Sequence, residues 1–215
     1  MSINKKQFHT IIIFVAIFVS FVSKLTYARD IQVLAFGDSL ISGYGLPETE
    51  HFTTQLEAKL RLEGKNVKFI NAGVSGDTTA AGLARLDWTL VSRPDAVILE
   101  LGANDGLRGL DPAMTKTNLK RILDKLEMMD IPVLFAGMLA PPNLGTEYGT
   151  EFNKGFREIA ETCDVIFYPF FLDGVAGKPK LNQLDGIHPT GAGVREIVRR
   201  ILPYVKKLLL RIRSF

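Results

Sequence analysis

The amino-acid sequence predicts an α/β fold in which helices cover both faces of an open parallel sheet. Two observations support this prediction. Short apolar runs alternate along the chain with longer stretches whose apolar residues recur every three or four positions. Strands separated by helices of this length require right-handed crossovers, which place a parallel sheet between two helical layers. We therefore expect one three-layer domain of the flavodoxin-like type.

The predicted strands and helices alternate from the start of the domain to its end. The strands are Ile31 to Phe36, Val67 to Ile70, Asp95 to Leu101, Pro132 to Gly137 and Val165 to Phe167. The helices are predicted at residues 49–63, 79–91, 112–129, 147–162 and 190–212. In the third helix, Leu119, Ile122 and Leu126 mark one apolar face at helical spacing.

Residues 1–28 are expected to be a signal peptide rather than part of the fold. Two lysines precede an apolar run from Ile11 to Val22, and the segment ends on the small residue Ala28. The run is shorter than the roughly 20 apolar residues that span a bilayer. We predict cleavage after Ala28, a single domain at residues 29–215 and a periplasmic or secreted location. A retained N-terminal membrane anchor is the alternative.

The charge balance gives no reason to expect a nucleic-acid partner. The chain has 26 basic and 23 acidic side chains, and three of the lysines lie in the predicted signal peptide. The rest of the chain is therefore formally neutral. The segment that begins at Arg195 is the exception, since it is both basic and apolar. We expect a final helix with one core-facing side there, and peripheral contact with an anionic membrane is the alternative.

The loops after the predicted strands indicate where a ligand binds. In open parallel sheets the site lies outside the carboxyl ends of the strands. Small and polar residues gather in three of these loops: Gly37 to Leu40, Asn71 to Asp77 and Gly102 to Gly106. None of them has the spacing of a phosphate-binding loop or a dinucleotide fingerprint.

Ser39 and His188 are the candidate nucleophile and base. Among the serines after residue 28, Ser39 alone combines a strand end with an adjacent turn glycine, Gly37. His188 follows Asp185 by three residues, so the carboxylate can orient one ring nitrogen and leave the other free as a base. The alternatives are that Ser39 is only a helix cap and that the segment from Asp185 to His188 is only a surface turn. The other histidine of the domain, His51, is expected to be a solvated residue at a helix start.

Gly76 and Asn104 are candidate donors to the oxyanion of an acyl-transfer reaction. Gly76 can offer a backbone N–H that no side chain blocks, and Asn104 can offer its side-chain amide. Each residue alone also has an ordinary explanation: Gly76 could be a loop glycine, and Asn104 could be a turn asparagine. Together with a serine and an Asp–His pair at one sheet edge, they favour an acyl-transfer site. A single cysteine, Cys163, and no Cys/His cluster give no indication of a disulfide, a metal or a cofactor.

Four ordered segments resemble the SGNH/GDSL hydrolase family. They are Gly37-Asp38-Ser39-Leu40, Gly76, Gly102-x-Asn104-Asp105 and Asp185-x-x-His188 with Pro189. The sequence that flanks these segments is similar to that of the bacterial periplasmic thioesterase/arylesterase/lysophospholipase group. The resemblance implies two-step acyl transfer, with Ser39, His188 and Asp185 catalytic and with an oxyanion hole formed by Ser39 N–H, Gly76 N–H and Asn104.

The resemblance also implies a small-molecule acyl ester or thioester as substrate, and no cofactor. Two other interpretations of the sequence stay open. One is a carbohydrate or cell-wall O-acetyl esterase, which would use the same site on a smaller acyl group. The other is a lipid-binding protein that has lost catalysis.

Overall fold

Five parallel strands form one sheet in the order β2-β1-β3-β4-β5. The strands are β1 (Ile31–Gly37), β2 (Val67–Gly73), β3 (Ala96–Glu100), β4 (Val133–Ala136) and β5 (Ile166–Tyr168). The computed structural model describes residues 29–212, and every element named here lies in the unit that begins at Ile31. The predicted signal peptide, residues 1–28, lies outside the described residues.

Seven helices connect and cover the strands in the described part of the chain. They are α1 (Ser39–Ser42), α2 (Phe52–Leu62), α3 (Thr79–Thr89), α4 (Ala103–Leu107), α5 (Pro112–Met128), α6 (Thr146–Thr162) and α7 (Gly191–Arg211). Helix α2 packs against α7, whereas α5 packs against α3 and α6. The chain adds β2 on one side of β1 and β3 on the other. Right-handed crossovers in opposite directions place their helices on opposite faces, which gives the three layers.

The middle strands are buried on both faces. Val33 to Phe36 in β1 and all five residues of β3 lie in the core. This explains why these strands read as continuous apolar runs rather than as alternating ones. The edge strand β2 instead alternates at its start, with Val67 and Phe69 buried around the exposed Lys68.

The predicted strands and long helices are present, and their ends differ from prediction by no more than three residues. The largest difference in a strand is in β2, which continues through Asn71, Ala72 and Gly73 instead of ending at Ile70. These three residues pair in register with Ala35 to Gly37 of β1. The polar loop therefore begins at Val74, because pairing with β1 holds the preceding residues in the sheet.

Helix α7 confirms the prediction of a core-facing final helix. Nine of its residues are buried, and several of its basic side chains form ion pairs. Lys206 pairs with Glu63, and Arg200 pairs with Asp173 and Glu196. Within residues 29–212, no helix combines the length and hydropathy that crossing a membrane requires. Peripheral contact of α7 with a membrane stays a prediction.

Candidate active site

Ser39 lies directly beyond the carboxyl end of β1, as the first residue of α1. Asp38 caps this short helix, because its Oδ1 accepts a hydrogen bond from Leu40 N at 3.0 Å. Gly37 does not adopt the left-handed conformation that some tight turns need. The absence of a side chain at Gly37 instead lets the Glu100 carboxyl group come close to the backbone, since a Cβ there would lie 2.6 Å from Glu100 Oε2.

Ser39, His188 and Asp185 form a continuous chain of hydrogen bonds. Nε2 of His188 lies 3.0 Å from Ser39 Oγ, and Nδ1 of His188 lies 2.6 Å from Asp185 Oδ2. The second carboxylate oxygen, Oδ1, accepts the backbone N–H groups of Ile187 and His188 at 2.9 and 3.0 Å. The side-chain hydrogen bond with His188, aided by these backbone donors, lowers the pKa of Asp185 to about 2. An ionised Asp185 requires a proton on Nδ1, which leaves Nε2 of a neutral ring free to accept.

A hairpin-like loop carries His188 and fixes it against the nucleophile side of the site. Gln183 N donates to His188 O at 2.7 Å, and Gly186 turns the chain at a φ of 71°. Gln183 Nε2 also donates to Tyr44 O at 2.8 Å. The Tyr44 ring lies 4.5 Å from the His188 ring, at an interplanar angle of 36°. No motif marks Tyr44 or Gln183, and the only sequence signal for Tyr44 is its nearness to Ser39.

The two candidate oxyanion donors lie on the neighbouring loops. Gly76 adopts a φ of 87°, and a Cβ added there would meet only Arg108 Nη2, at 3.7 Å. Asn104 belongs to α4, which begins just after β3. Its Nδ2 donates to Asp77 O at 3.0 Å and to Asp38 Oδ2 at 3.1 Å. Since both partners are acceptors, the amide nitrogen of Asn104 is the atom that faces them.

The structure thus brings the predicted site residues to one edge of the sheet. Ser39, Asp185 and His188 are in direct contact, and Asn104 is linked to the residue before Ser39 and to the residue after Gly76. His51 lies elsewhere, at the N-terminus of α2, where its Nε2 is 3.1 Å from Leu46 O. Within residues 29–212, no group of three His, Cys, Asp or Glu side chains is arranged to hold a metal ion.

Residues 35–196 match the family model of GDSL-like lipase/acylhydrolases, a span that contains every one of these site residues. The chain belongs to this family. It is similar to esterase TesA of Pseudomonas aeruginosa, with 38% identity over 178 residues that cover 82% of this chain and 89% of the relative. Thioesterase 1/protease 1/lysophospholipase L1 of Escherichia coli is 37% identical over 158 residues, which cover 73% of this chain and 74% of that protein.

A solved structure of the same kind aligns over most of the domain. The SGNH-hydrolase family esterase AlinE4 superimposes with a TM-score of 0.72 at 49% identity, covering 85% of this chain and 98% of that chain. Together with the curated relatives, it confirms the predicted SGNH fold and an enzyme that hydrolyses ester bonds.

In this GDSL-family hydrolase, Asp105 fastens the Asn104 helix to its neighbours. Asp105 is nearly fully buried and accepts hydrogen bonds from Thr79 N at 2.8 Å and Thr79 Oγ1 at 2.6 Å. Thr115 Oγ1 donates to the same carboxylate at 3.2 Å. These contacts join α4 to the first residue of α3 and to α5. Asp105 therefore holds α4, which carries Asn104, against α3 and α5.

Arg85 connects the loops after β1 and β2. Its Nε donates to Asp77 Oδ2 at 2.6 Å, and its Nη2 donates to Gly37 O at 2.9 Å. The guanidinium carbon also lies 4.1 Å from the centroid of the Phe36 ring. Arg85 thereby holds Asp77, the acceptor of one Asn104 hydrogen bond, against the end of β1.

Two carboxyl groups lie buried beneath the Ser39 loop of the hydrolase. Asp38 and Glu100 are both fully excluded from solvent. Burial raises the pKa of Asp38 to about 6, against the opposing effect of its hydrogen bonds from Leu40 and Asn104. Burial, followed by the charge of Asp38, raises the pKa of Glu100 well above its usual range. In the sequence Glu100 is simply the acid near the end of an apolar run, and nothing there indicates a buried carboxyl group.

Proposed function

We propose that this hydrolase cleaves acyl esters and thioesters through an acyl-enzyme on Ser39. One observation carries the proposal: the unbroken chain of hydrogen bonds from Asp185 through His188 to Ser39 Oγ, at 2.6 and 3.0 Å. A serine hydroxyl is a weak nucleophile until a base accepts its proton. His188 Nε2 is within reach of that proton, and Asp185 keeps the ring in the tautomer that can accept it.

In the proposed mechanism His188 takes the Ser39 proton as Oγ attacks the substrate carbonyl carbon. The tetrahedral intermediate forms as the carbonyl oxygen gains negative charge. Its donors are the N–H groups of Ser39 and Gly76 and the Nδ2 of Asn104. His188 then gives the proton to the leaving alcohol or thiol. Water attacks the acyl-enzyme by the same route and releases the acid.

Asn104 needs only a small movement to serve in this way. Its amide hydrogens now point to Asp77 O and Asp38 Oδ2 at 3.0 and 3.1 Å. Catalytic hydrogen bonds often become short and well aligned only when the substrate or transition state is bound. A developing oxyanion is a stronger acceptor than a backbone carbonyl. We expect it to draw one Asn104 hydrogen away from Asp77 O.

Exposed apolar side chains around the site support an acyl chain as part of the substrate. They lie in the loops after β2, β3 and β4 and beside His188, and they are Val74, Leu107, Leu110, Leu139 and Ile187. Exposed apolar groups on the segments that flank a binding site favour an apolar ligand. The names of the relatives, esterase TesA and thioesterase 1/protease 1/lysophospholipase L1, agree with this chemistry.

Export to the periplasm or outside the cell is part of the proposal. It is supported by the two lysines before the apolar run Ile11 to Val22 and by the small residue Ala28. Intact mass or N-terminal sequencing of the protein from its native host tests it. A mature start near Arg29 is expected, whereas a start at Met1 in the membrane fraction would show that the segment is retained as an anchor.

Hydrolysis rates on p-nitrophenyl esters and acyl-CoA thioesters of graded chain length test the proposed activity. We expect turnover of both bond types and a preference for chains longer than acetyl. Activity confined to acetyl esters would instead favour an enzyme for O-acetylated glycans. A fluorophosphonate probe should attach to Ser39, and a protein that binds lipids but fails to react with the probe would contradict a serine hydrolase.

A further inference from the structure

The buried pair Asp38–Glu100 lies directly behind the nucleophile loop. Asp38 N donates to Glu100 Oε2 at 3.4 Å, so the Glu100 carboxyl group lies against the residue that precedes the nucleophile. Neither group is exposed to solvent. Two adjacent carboxylates in such a place would repel each other without water to screen the charge. Burial without water therefore favours a pair in which one of the two groups keeps its proton.

The hydrogen-bond partners show which of the two is protonated. Asp38 accepts from Leu40 N at 3.0 Å and from Asn104 Nδ2 at 3.1 Å, and such donors favour a carboxylate. Glu100 Oε1 is buried and has no hydrogen-bond partner. An ionised carboxylate with an unpartnered buried oxygen is costly, whereas a neutral carboxyl group tolerates one far better. Burial also raises the pKa of Glu100 well above its usual range.

The position of Asn104 depends on this arrangement. Asp38 Oδ2 is one of the two acceptors that hold the Asn104 amide nitrogen. The other titratable groups that act on Asp38 are His188, which lowers its pKa, and Asp77, which raises it and is itself paired with Arg85. None of them fixes the Asp38 carboxyl group from the side of β3, where Glu100 is its partner.

We propose that Glu100 is a positioning residue: it keeps its proton at neutral pH, donates it to Asp38, and so holds the carboxylate that orients the Asn104 amide. The missing side chain of Gly37 makes room for this contact, since a Cβ there would lie 2.6 Å from Glu100 Oε2. The effect on turnover rests on the proposed role of Asn104 as an oxyanion donor. The protonation of Glu100 does not depend on that role.

Carbon-13 NMR of protein labelled at the glutamate side-chain carboxyls tests the protonation directly. We expect one glutamate resonance at the shift of a protonated carboxyl group, unchanged between about pH 5 and pH 8 and absent from Glu100→Gln. The exposed Glu161 on α6, assigned with Glu161→Gln, is the matched control. A carboxylate shift for Glu100 at neutral pH would overturn the proposal whatever the enzyme hydrolyses.

Steady-state kinetics of two substitutions test the positioning. Glu100→Gln keeps the shape of the side chain and an N–H that can donate to Asp38, so kcat should stay within about tenfold of wild type. Glu100→Ala removes the donor and leaves Asn104 poorly held, so kcat should fall on the order of 10²-fold while KM changes little. Equal losses in the two variants, or a loss confined to KM, would contradict a neutral positioning donor.

Thermal unfolding of each variant separates misfolding from misplacement. If Glu100→Ala does not fold, Asp38→Asn replaces it, because its NH₂ takes the place of one of the two oxygens that accept from Leu40 N and Asn104 Nδ2. Asp38→Asn should therefore lower kcat with KM retained, and full turnover would overturn the proposal. If Asn104→Ala keeps its turnover, the proposed role of Asn104 fails instead, and the NMR result still decides the proton on Glu100.

Discussion

Nε2 of His188 and Oγ of Ser39 lie 3.0 Å apart, although 149 residues separate them along the chain. Ser39 follows β1, and His188 belongs to a loop that comes after β5, the strand at the far edge of the sheet. Strands β3 and β4 lie between β1 and β5 in the sheet. The contact therefore requires that β1, β3, β4 and β5 are assembled, and esterase activity reports the integrity of this part of the sheet.

Ser39→Ala should abolish ester hydrolysis while the protein stays folded. Removing the nucleophile of a triad costs many orders of magnitude in turnover. Esterase assays and thermal unfolding of purified protein check this expectation. Ser42→Ala is the matched control, because Ser42 lies on the same short helix but bonds to Ser75 Oγ at 2.8 Å, away from His188. More than about a hundredth of wild-type turnover in Ser39→Ala would show that another group is the nucleophile.

Asn104→Ala should lower kcat by roughly 10²–10³-fold and leave KM nearly unchanged, as the loss of an oxyanion donor does. The reason is that Asn104 would contact the carbonyl oxygen most strongly once that oxygen carries charge. Asn143→Ala, an exposed asparagine in the turn after β4, is the control and should behave as wild type. Raised KM with normal kcat would mean that Asn104 binds the substrate or only supports the loop.

The alternation of apolar runs and helical patterns was sufficient to predict the order of strands and long helices along the chain, because buried parallel strands and amphipathic helices have different periods. The short helices α1 and α4 could not be predicted in this way. They have four and five residues, too few to show a helical period. Instead of a periodic apolar face, α1 depends on the cap supplied by Asp38.

Long-range contacts account for what the sequence does not reveal about the site. Glu100 follows Leu99 in an apolar run, and only the approach of Gly37 from β1 makes it a partner of Asp38. Asp105 reads as part of a motif, but its role depends on Thr79 and Thr115, which belong to two other helices. Such roles depend on residues distant in sequence, so local patterns carry no sign of them.

Asp105→Ala should destabilise the fold more than it alters the chemistry. The substitution leaves Thr79 N–H and the Thr79 hydroxyl without their acceptor, and each unsatisfied buried group costs about 1–3 kcal/mol. Urea unfolding should show the loss, with residual kcat largely retained at low temperature. Asp124→Asn, on the exposed side of α5, is the control and should change stability little. Unchanged stability of Asp105→Ala would contradict the proposed support of the Asn104 loop.

Glu100→Gln should change how stability depends on pH. The pKa values of Asp38 and Glu100 are raised in the folded state, so between the unfolded and folded values the folded protein binds more protons. Their contribution to stability is therefore present at low pH and is lost as the pH rises, for Asp38 through about 6. Glu100→Gln removes one of these two groups, so the stability of the variant should fall less as the pH rises.

Urea unfolding at a series of pH values measures this effect. The stability of Glu100→Gln relative to wild type should increase as the pH rises above that of an ordinary carboxyl group, about 4. Glu161→Gln should give a curve parallel to wild type. Parallel curves for Glu100→Gln as well would mean that Glu100 titrates as an ordinary acid in the folded protein.

Asp185→Asn tests the pairing of Asp185 with His188 rather than either residue alone. Oδ1 of Asp185 accepts the N–H groups of Ile187 and His188, so an asparagine can keep these bonds and turn its NH₂ toward the ring. That NH₂ would favour the tautomer with its proton on Nε2, which cannot accept the proton of Ser39. We expect kcat/KM to fall by up to about 10⁴ while the loop keeps its shape.

The low pKa of Asp185 adds a prediction about pH. At a pKa of about 2 the carboxylate is ionised wherever the enzyme works, so its protonation contributes nothing to the wild-type profile above about pH 4. Any stability it lends the loop is present above the pKa of a free aspartate and is lost only as the pH falls through about 2. Profiles of kcat/KM for wild type, Asp185→Asn and Asp185→Ala, with thermal unfolding at each pH, test both points. Near-normal activity of Asp185→Asn would reduce Asp185 to an anchor of the loop and leave Ser39 and His188 as a dyad.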